Sequence, residues 1–328
     1  MTAVASPPRS RIRVRRLAVG LVLVAGLTAC GEGNPEAPLG PLKDGLPALA
    51  GRVPGTVTRA GGTDTADVVA KLQAAITSKG GAVATVVDHS ARAARAGTSF
   101  PEVVTVVGGS PATQVPLLRL DQRAGVLLPE RYLVRQDVEG GAVTVTYDSA
   151  DYVAAVSGIG DAAASAPLAT GAADVAYAAT GHDPQALPTP LIGVTPARFV
   201  VSVFGSADVP VTVGRLTRAA GRAPTSNAAA VDLAAGSATD GPVIRPTSAV
   251  LVNVPEAEGP LLQAAPSMAL EFPLRFLVWI DDQNRTLIGY PSPASLAARH
   301  GVAATDPAVV KLTTEADRLA RTAAGLLQ

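Results

Sequence analysis

The sequence predicts an α+β fold written twice: two copies of a small sandwich, each a sheet with helices packed on it. Two observations carry this expectation. Sliding the chain over itself by 144 residues aligns 57–137 with 201–281 without a gap, and 22 of those 81 positions are identical. Each copy also runs through the same order of β-branched strands and apolar-striped helices before closing on a hairpin. The matches fall on residues that shape a backbone. Asp88 meets Asp232, Gly97 meets Gly241, Pro111 meets Pro255, and Pro116-Leu117-Leu118 meets Pro260-Leu261-Leu262. Pro129 and Arg131 meet Pro273 and Arg275, and one deletion in the next turn brings Tyr147 onto Tyr290 and Gly158 onto Gly301. An Ala-rich composition produces chance Ala pairs, but not this set.

The elements follow in order. A short strand opens each copy, near 55–58 and 199–204. The first helix is capped by Thr63 or Asp64, striped by Val68, Leu72, Ala75 and Ile76, and stopped by Gly80-Gly81. Its partner carries Val213, Leu216, Ala219 and Ala220 and stops near Pro224. Strands at 83–87 and 228–231 come next, then a short Ala-rich helix up to Gly97, and buried strands at 103–107 and 249–254. After a Pro-rich connection and a second short helix, hairpins end the units. Their strands are 132–137 with 142–147, and 276–280 with 286–290, turning at Gly140-Gly141 and at 281–284. A last helix starts at Asp306-Pro307, a cap followed by proline at the first helical position.

What precedes the repeats reads as an address. Five arginines between Arg9 and Arg16 stand before an uncharged apolar run of 11 residues, 17–27. That run is too short to span a hydrocarbon core as a helix, which takes roughly 20 residues, so the pattern is that of a signal peptide. Leu27-Thr28-Ala29-Cys30-Gly31 resembles the bacterial lipobox, in which the cysteine is acylated and becomes the new N-terminus; Cys30 is the chain's one cysteine. Arg15-Arg16-Leu17 resembles a twin-arginine signal only weakly, so the export route stays open. The precursor carries 27 basic and 27 acidic groups. Losing residues 1–29 removes five arginines and no acid, leaving 22 against 27, a net charge of −5. The expected organisation is a signal at 1–29, a Pro/Gly-rich tether at 30–54, repeats at 55–181 and 198–328, and a Pro-rich linker at 182–197. The expected location is a membrane face outside the cytoplasm, held by the lipid.

Several segments also resemble a known family. They are Asp88-His89 before an Ala-rich helix ending at Gly97, the strand-turn 103–111, the Pro-Leu-Leu step, and Phe272-Pro273-Leu274-Arg275-Phe276-Leu277-Val278-Trp279. Tyr290-Pro291-Ser292-Pro293 and Leu296-Ala297-Ala298-Arg299-His300-Gly301 complete the set. Together they resemble DUF302, a domain of unknown function of compact α+β fold. The resemblance implies a domain that can pair, so two copies in one chain imply an intramolecular pseudo-dimer. It implies no activity, cofactor or catalytic residues.

Composition narrows the chemistry. One cysteine allows no internal disulfide and no Cys-based zinc site. No basic excess is present to neutralise phosphates, which argues against nucleic acid as a partner. No cofactor fingerprint or metal-ligand pattern occurs, and Asp281-Asp282 reads as a solvated turn. Four residues remain as candidate ligand contacts. Asp88 reads first as a helix cap. His89 is absent from copy two, where Leu233 stands. Arg131 and Arg275 occupy equivalent positions, where a guanidinium could grip an anion or form a structural ion pair shared by the copies. His300, replaced by Ser157 in copy one, reads as structural or superficial, and His182 as part of the linker. The expected function is a non-enzymatic binding or scaffolding module of the cell envelope, contacting an envelope protein or small ligand. The alternatives are an enzyme, or a carrier of a small apolar ligand, with its site between the repeats.

Overall fold

The structure is a computed structural model. It describes residues 52–99, 101–138, 140–181, 188–191, 199–237 and 241–327. The expected signal peptide, Cys30 and nearly all of the tether lie outside the described residues, as does most of the linker with His182. Both repeats fall in one compact unit.

Repeat one runs β1 (Thr56–Ala60), α1 (Thr65–Ser78), β2 (Ala82–Asp88), α2 (His89–Arg95), β3 (Val103–Gly109) and α3 (Pro111–Leu120). A 3-10 turn (Gln122–Leu127) leads to β4 (Arg131–Gln136), β5 (Val143–Asp148), α4 (Ala150–Ser157) and α5 (Ala162–Thr180). Repeat two runs β6 (Val200–Phe204), α6 (Val209–Ala220), β7 (Ser226–Asp232), β8 (Thr247–Asn253) and α7 (Pro255–Ala264). Its 3-10 turn (Pro266–Glu271) leads to β9 (Leu274–Ile280), β10 (Thr286–Pro291), α8 (Pro293–Arg299) and α9 (Pro307–Ala324). Each repeat holds a five-stranded sheet, in the orders β1-β5-β4-β3-β2 and β6-β10-β9-β8-β7, with every pairing antiparallel. Even the irregularity repeats: the register shifts between Val83 and Thr85 in β2, and between Asn227 and Ala229 in β7. The expected α+β duplication is the observed fold.

An antiparallel sheet with one wet face alternates polar and apolar residues. β3 and β9 do not alternate, because both of their faces are covered. On the helix side Val104, Val106, Tyr132 and Val134 meet Leu72 and Ile76 of α1 and Ala176 of α5. On the other side Val103 and Leu133 belong to a cluster that includes Leu277 and Phe276 of repeat two. The two 3-10 turns fill this seam reciprocally. The turn of repeat one lies on β8 and β9, and that of repeat two on β3 and β4. The approach is close at Gly125, where a Cβ would lie 2.5 Å from Leu277 Cδ1.

Three features differ from expectation. The 19-residue helix α5 was not anticipated, since Pro167 and Gly171 interrupt its sequence; Gly171 is needed where Thr113 of α3 comes within 2.4 Å of a Cβ position. The short helix α2 has no counterpart after β7, where Gly236 takes φ +79° and breaks the helical path. Part of the linker is built into repeat one: Gly55 N donates to Thr189 O (2.9 Å) and Thr189 N to Thr56 O (2.8 Å).

Candidate functional site: the charged seam between the repeats

Side chains alternate along a strand, so with Tyr132 and Val134 facing the helices, Arg131 and Leu133 face the seam. The same parity sends Arg275 into it from β9. Both arginines are buried, and each reaches across to the other repeat. Arg131 Nη2 donates to Pro273 O, and Arg275 Nη2 donates to Pro129 O. Both carbonyls belong to prolines that follow cis peptide bonds. This is the reciprocity of a two-fold contact, inside one chain.

Around that symmetric pair lies an asymmetric charge cluster. Glu271, fully buried, ends the second 3-10 turn. Its Oε1 accepts from Arg299 Nη1 (2.9 Å) and His300 Nε2 (2.9 Å), and its Oε2 stands 3.7 Å from Arg131 Nη1. Arg299 reaches into repeat one. Its Nη2 donates to Asp148 Oδ1 (2.7 Å), its Nε donates to Pro54 O (2.9 Å), and its guanidinium lies 3.5 Å from the centre of the Tyr152 ring. A planar guanidinium suits this combined fork and stack. At the pseudo-equivalent positions stand Leu127 for Glu271, Val156 for Arg299, Ser157 for His300, and Pro291 for Asp148. The carboxylates therefore gather at one end of the duplicated seam, around Arg131 and Arg299, while Arg275 at the other end has the carbonyls of Val126 and Pro129 as acceptors.

The electrostatics follow from burial and neighbours. Burial alone would raise the Glu271 carboxyl, but Arg299, His300 and Arg131 together hold it below the ordinary carboxylate range. Burial lowers Arg131 to about 10, with Glu271 opposing the shift. Burial also lowers His300, against the pull of Glu271. His300 Nδ1 lies 2.9 Å from Ser267 Oγ, so Ser267, His300 and Glu271 have the hydrogen-bond order of a nucleophile, base and carboxylate. Glu271 favours the imidazolium, but burial outweighs that pull and the neighbouring Arg299 opposes it, and the same carboxylate is shared with Arg299 and Arg131.

The seam brings together three of the four candidates read from the sequence. His89 is buried. Its Nε2 lies 3.2 Å from Thr105 Oγ1, which in turn donates to Ala269 O of repeat two (2.8 Å). Burial, Arg92 and Arg131 lower His89 to about 3. Asp88 faces away and caps α2, accepting from Ala91 N (2.8 Å) as its sequence position suggested. It borders a surface recess of about 500 Å³ with Thr65, Val86 and Glu102. His300 is not at the surface: its side chain is fully buried. Sequence reasoning missed Glu271, Arg299 and Asp148. The signal was present in the repeat alignment, as charged residues standing opposite Leu127, Val156 and Pro291.

Other polar links cross the seam nearer the surface. Arg92 Nη1 donates to Asn253 Oδ1 (2.7 Å) and lies 3.6 Å from the buried Glu258, whose carboxyl burial raises to about 7. Gln122 and Arg245 bond one another, and Arg119 donates to Ser237 O (3.0 Å) and Pro242 O (3.1 Å). Arg119, Gln122, Pro242 and Arg245 border a groove of about 520 Å³ lined by both repeats, with Trp279 and Asp282 on its wall. Among the described residues no group of His, Cys, Asp or Glu side chains could hold a metal ion, and no helix is long and apolar enough to cross a membrane.

The family described as domain of unknown function DUF302 matches residues 56–176 and 201–321. A solved structure described as an uncharacterized conserved protein DUF302 from Bacillus stearothermophilus is similar at 17% identity, covering 40% of this chain and 100% of that one, with a TM-score of 0.33. No curated protein matches this chain. With two matched segments that together span more than half of its length, the chain belongs to the DUF302 family as a tandem of two such domains.

Proposed function

We propose that the protein is an exported lipoprotein, acylated at Cys30, whose two repeats form one non-catalytic binding or scaffolding module on the outer face of a membrane. The observation that carries the module reading is the use of charge at the seam: Arg131, Arg275, Arg299 and Glu271 are all engaged across the two repeats. The anchoring reading rests on Arg9 to Arg16, the 11-residue apolar run and the Leu27-Thr28-Ala29-Cys30 box. One acyl chain binds a membrane marginally and two bind stably, so a diacylated cysteine is a sufficient anchor for a body of net charge −5. The groove beside Arg245 and Trp279 supports a binding role, because a partner seated there touches both repeats at once. The apolar fill of the seam weighs against a carrier cavity between the repeats, and the electrostatics of His300 weigh against a hydrolytic site there.

The test is membrane fractionation of the wild type and Cys30→Ser, followed by cross-linking of the anchored wild type and an Arg245→Ala variant. Release of Cys30→Ser into the soluble fraction is expected, with a cross-linked partner that Arg245→Ala weakens. Unchanged fractionation overturns the anchor.

A further inference from the structure

We propose that the seam is an address that only unlike repeats read: the face of repeat one accepts the face of repeat two, and neither accepts its own copy. The two faces carry different charges. Repeat one brings Arg131, Asp148 and the ring of Tyr152; repeat two brings Glu271, Arg299 and His300. Joined as observed, Arg131, Arg299, Asp148 and Glu271 each meet an opposite charge within 3.7 Å, while Arg275, opposite Leu127, is held by the carbonyls of Val126 and Pro129.

Two copies of repeat one would place Leu127 opposite each Arg131 and Val156 opposite each Asp148, leaving both guanidiniums with carbonyl acceptors alone and both carboxylates without the cation that Arg299 supplies. Two copies of repeat two would each bring Arg275, Arg299 and Glu271, so four guanidinium groups would share two carboxylates, and Pro291 would stand where Arg299 needs Asp148. An unpaired buried charge is far more costly than a paired one, and repulsive pairs of this kind discriminate between partners. The symmetric Arg131 and Arg275 contacts to proline carbonyls are available to any pair of repeats, so they supply affinity without choice. The choice lies with Glu271, Arg299 and Asp148.

The experiment starts from the full chain, with a protease site placed at residues 193–195, so that Thr189 stays with repeat one. The folded protein is cut, unfolded, refolded with both halves present, and its pairs are counted by native mass spectrometry. Unlike pairs should outnumber like pairs by more than about 10-fold, a free-energy preference of about 1.4 kcal/mol. A mixture in which like pairs are as abundant in total as unlike ones overturns the proposal, and so does a failure of soluble halves to re-pair. Leu127→Glu supplies repeat one with a carboxylate where a like partner's Arg131 would stand, so it should raise like pairs of repeat one. An unchanged distribution in that variant counts against the mechanism. If the halves precipitate on refolding, mixing isotopically heavy and light cut complexes without unfolding gives the same readout. Exchange confined to unlike pairs supports the address, and like pairs appearing there refute it.

Discussion

Replacing Glu271 with leucine, the residue repeat one carries at the equivalent position, should destabilise the protein by about 3 kcal/mol, at the lower end of what breaking a buried ion pair costs. The magnitude follows from what the carboxylate does. It accepts from Arg299 and His300 at 2.9 Å and faces Arg131 at 3.7 Å, with no exposed surface. Its removal leaves Arg299 with Asp148 and Pro54 O, but leaves Arg131 with a carbonyl as its nearest acceptor. Leucine recovers part of the loss by filling the space and by sparing the desolvation of an anion, which is why the upper end of the range is not expected. Arg299→Val alone should be at least as harmful, since it strips a partner from Glu271 and from Asp148 together. The double variant should be less destabilised than the two losses summed, by about 1–3 kcal/mol of coupling. The assay is urea unfolding followed by the fluorescence of Trp279, the one tryptophan, which sits buried on β9 beside the seam. A Glu271→Leu variant within about 1 kcal/mol of wild type, the scale of a surface pair, would refute the reasoning.

Gly125→Ala should cost about 1–3 kcal/mol by overpacking, because its methyl would press on Leu277 of the other repeat; an unaffected midpoint in the same assay would show that the seam can open there. Burial holds His89 near 3 in the folded chain against 6.5 for the free group. The unfolded chain therefore binds the extra proton between those values, and stability rises with pH across that window. His89→Leu should flatten that rise, as read from unfolding midpoints between pH 3 and 6.5. Glu258 has the opposite sign. Raised to about 7 from 4.5, it keeps its proton longer when folded, so it erodes stability as pH climbs from 4.5 to 7. Glu258→Gln should remove that loss while still accepting from Val254 N, and a variant with an unchanged pH slope would contradict the burial argument.

Much of the fold was legible because local rules and the repeat agreed. Asp64, Asp88 and Asp306 cap the helices their positions announced, and the hairpin at 281–284 turns through Asn284 at φ +59°. What stayed hidden was set by contacts between repeats. Helix α5 carries Pro167 and Gly171, residues that argue against a helix until the close pass of α3 explains the glycine. Arg131 and Arg275 could be singled out by their shared alignment, but not which carbonyls they reach, since those lie 142 and 146 residues away in the chain. Glu271 and Arg299 read as ordinary polar residues of short elements. Only the packing of one sheet on the other repeat's turn shows them to be fully enclosed.

The central claim is that the two repeats stand or fall as one body through their shared seam. Native-state hydrogen exchange tests it most directly, by comparing the amides of β3 in repeat one with those of β8 in repeat two. Equal opening free energies in both strands, falling together in Glu271→Leu, are the predicted result. Exchange from β3 at a lower free energy than β8, or a loss in the variant confined to repeat two, would contradict it.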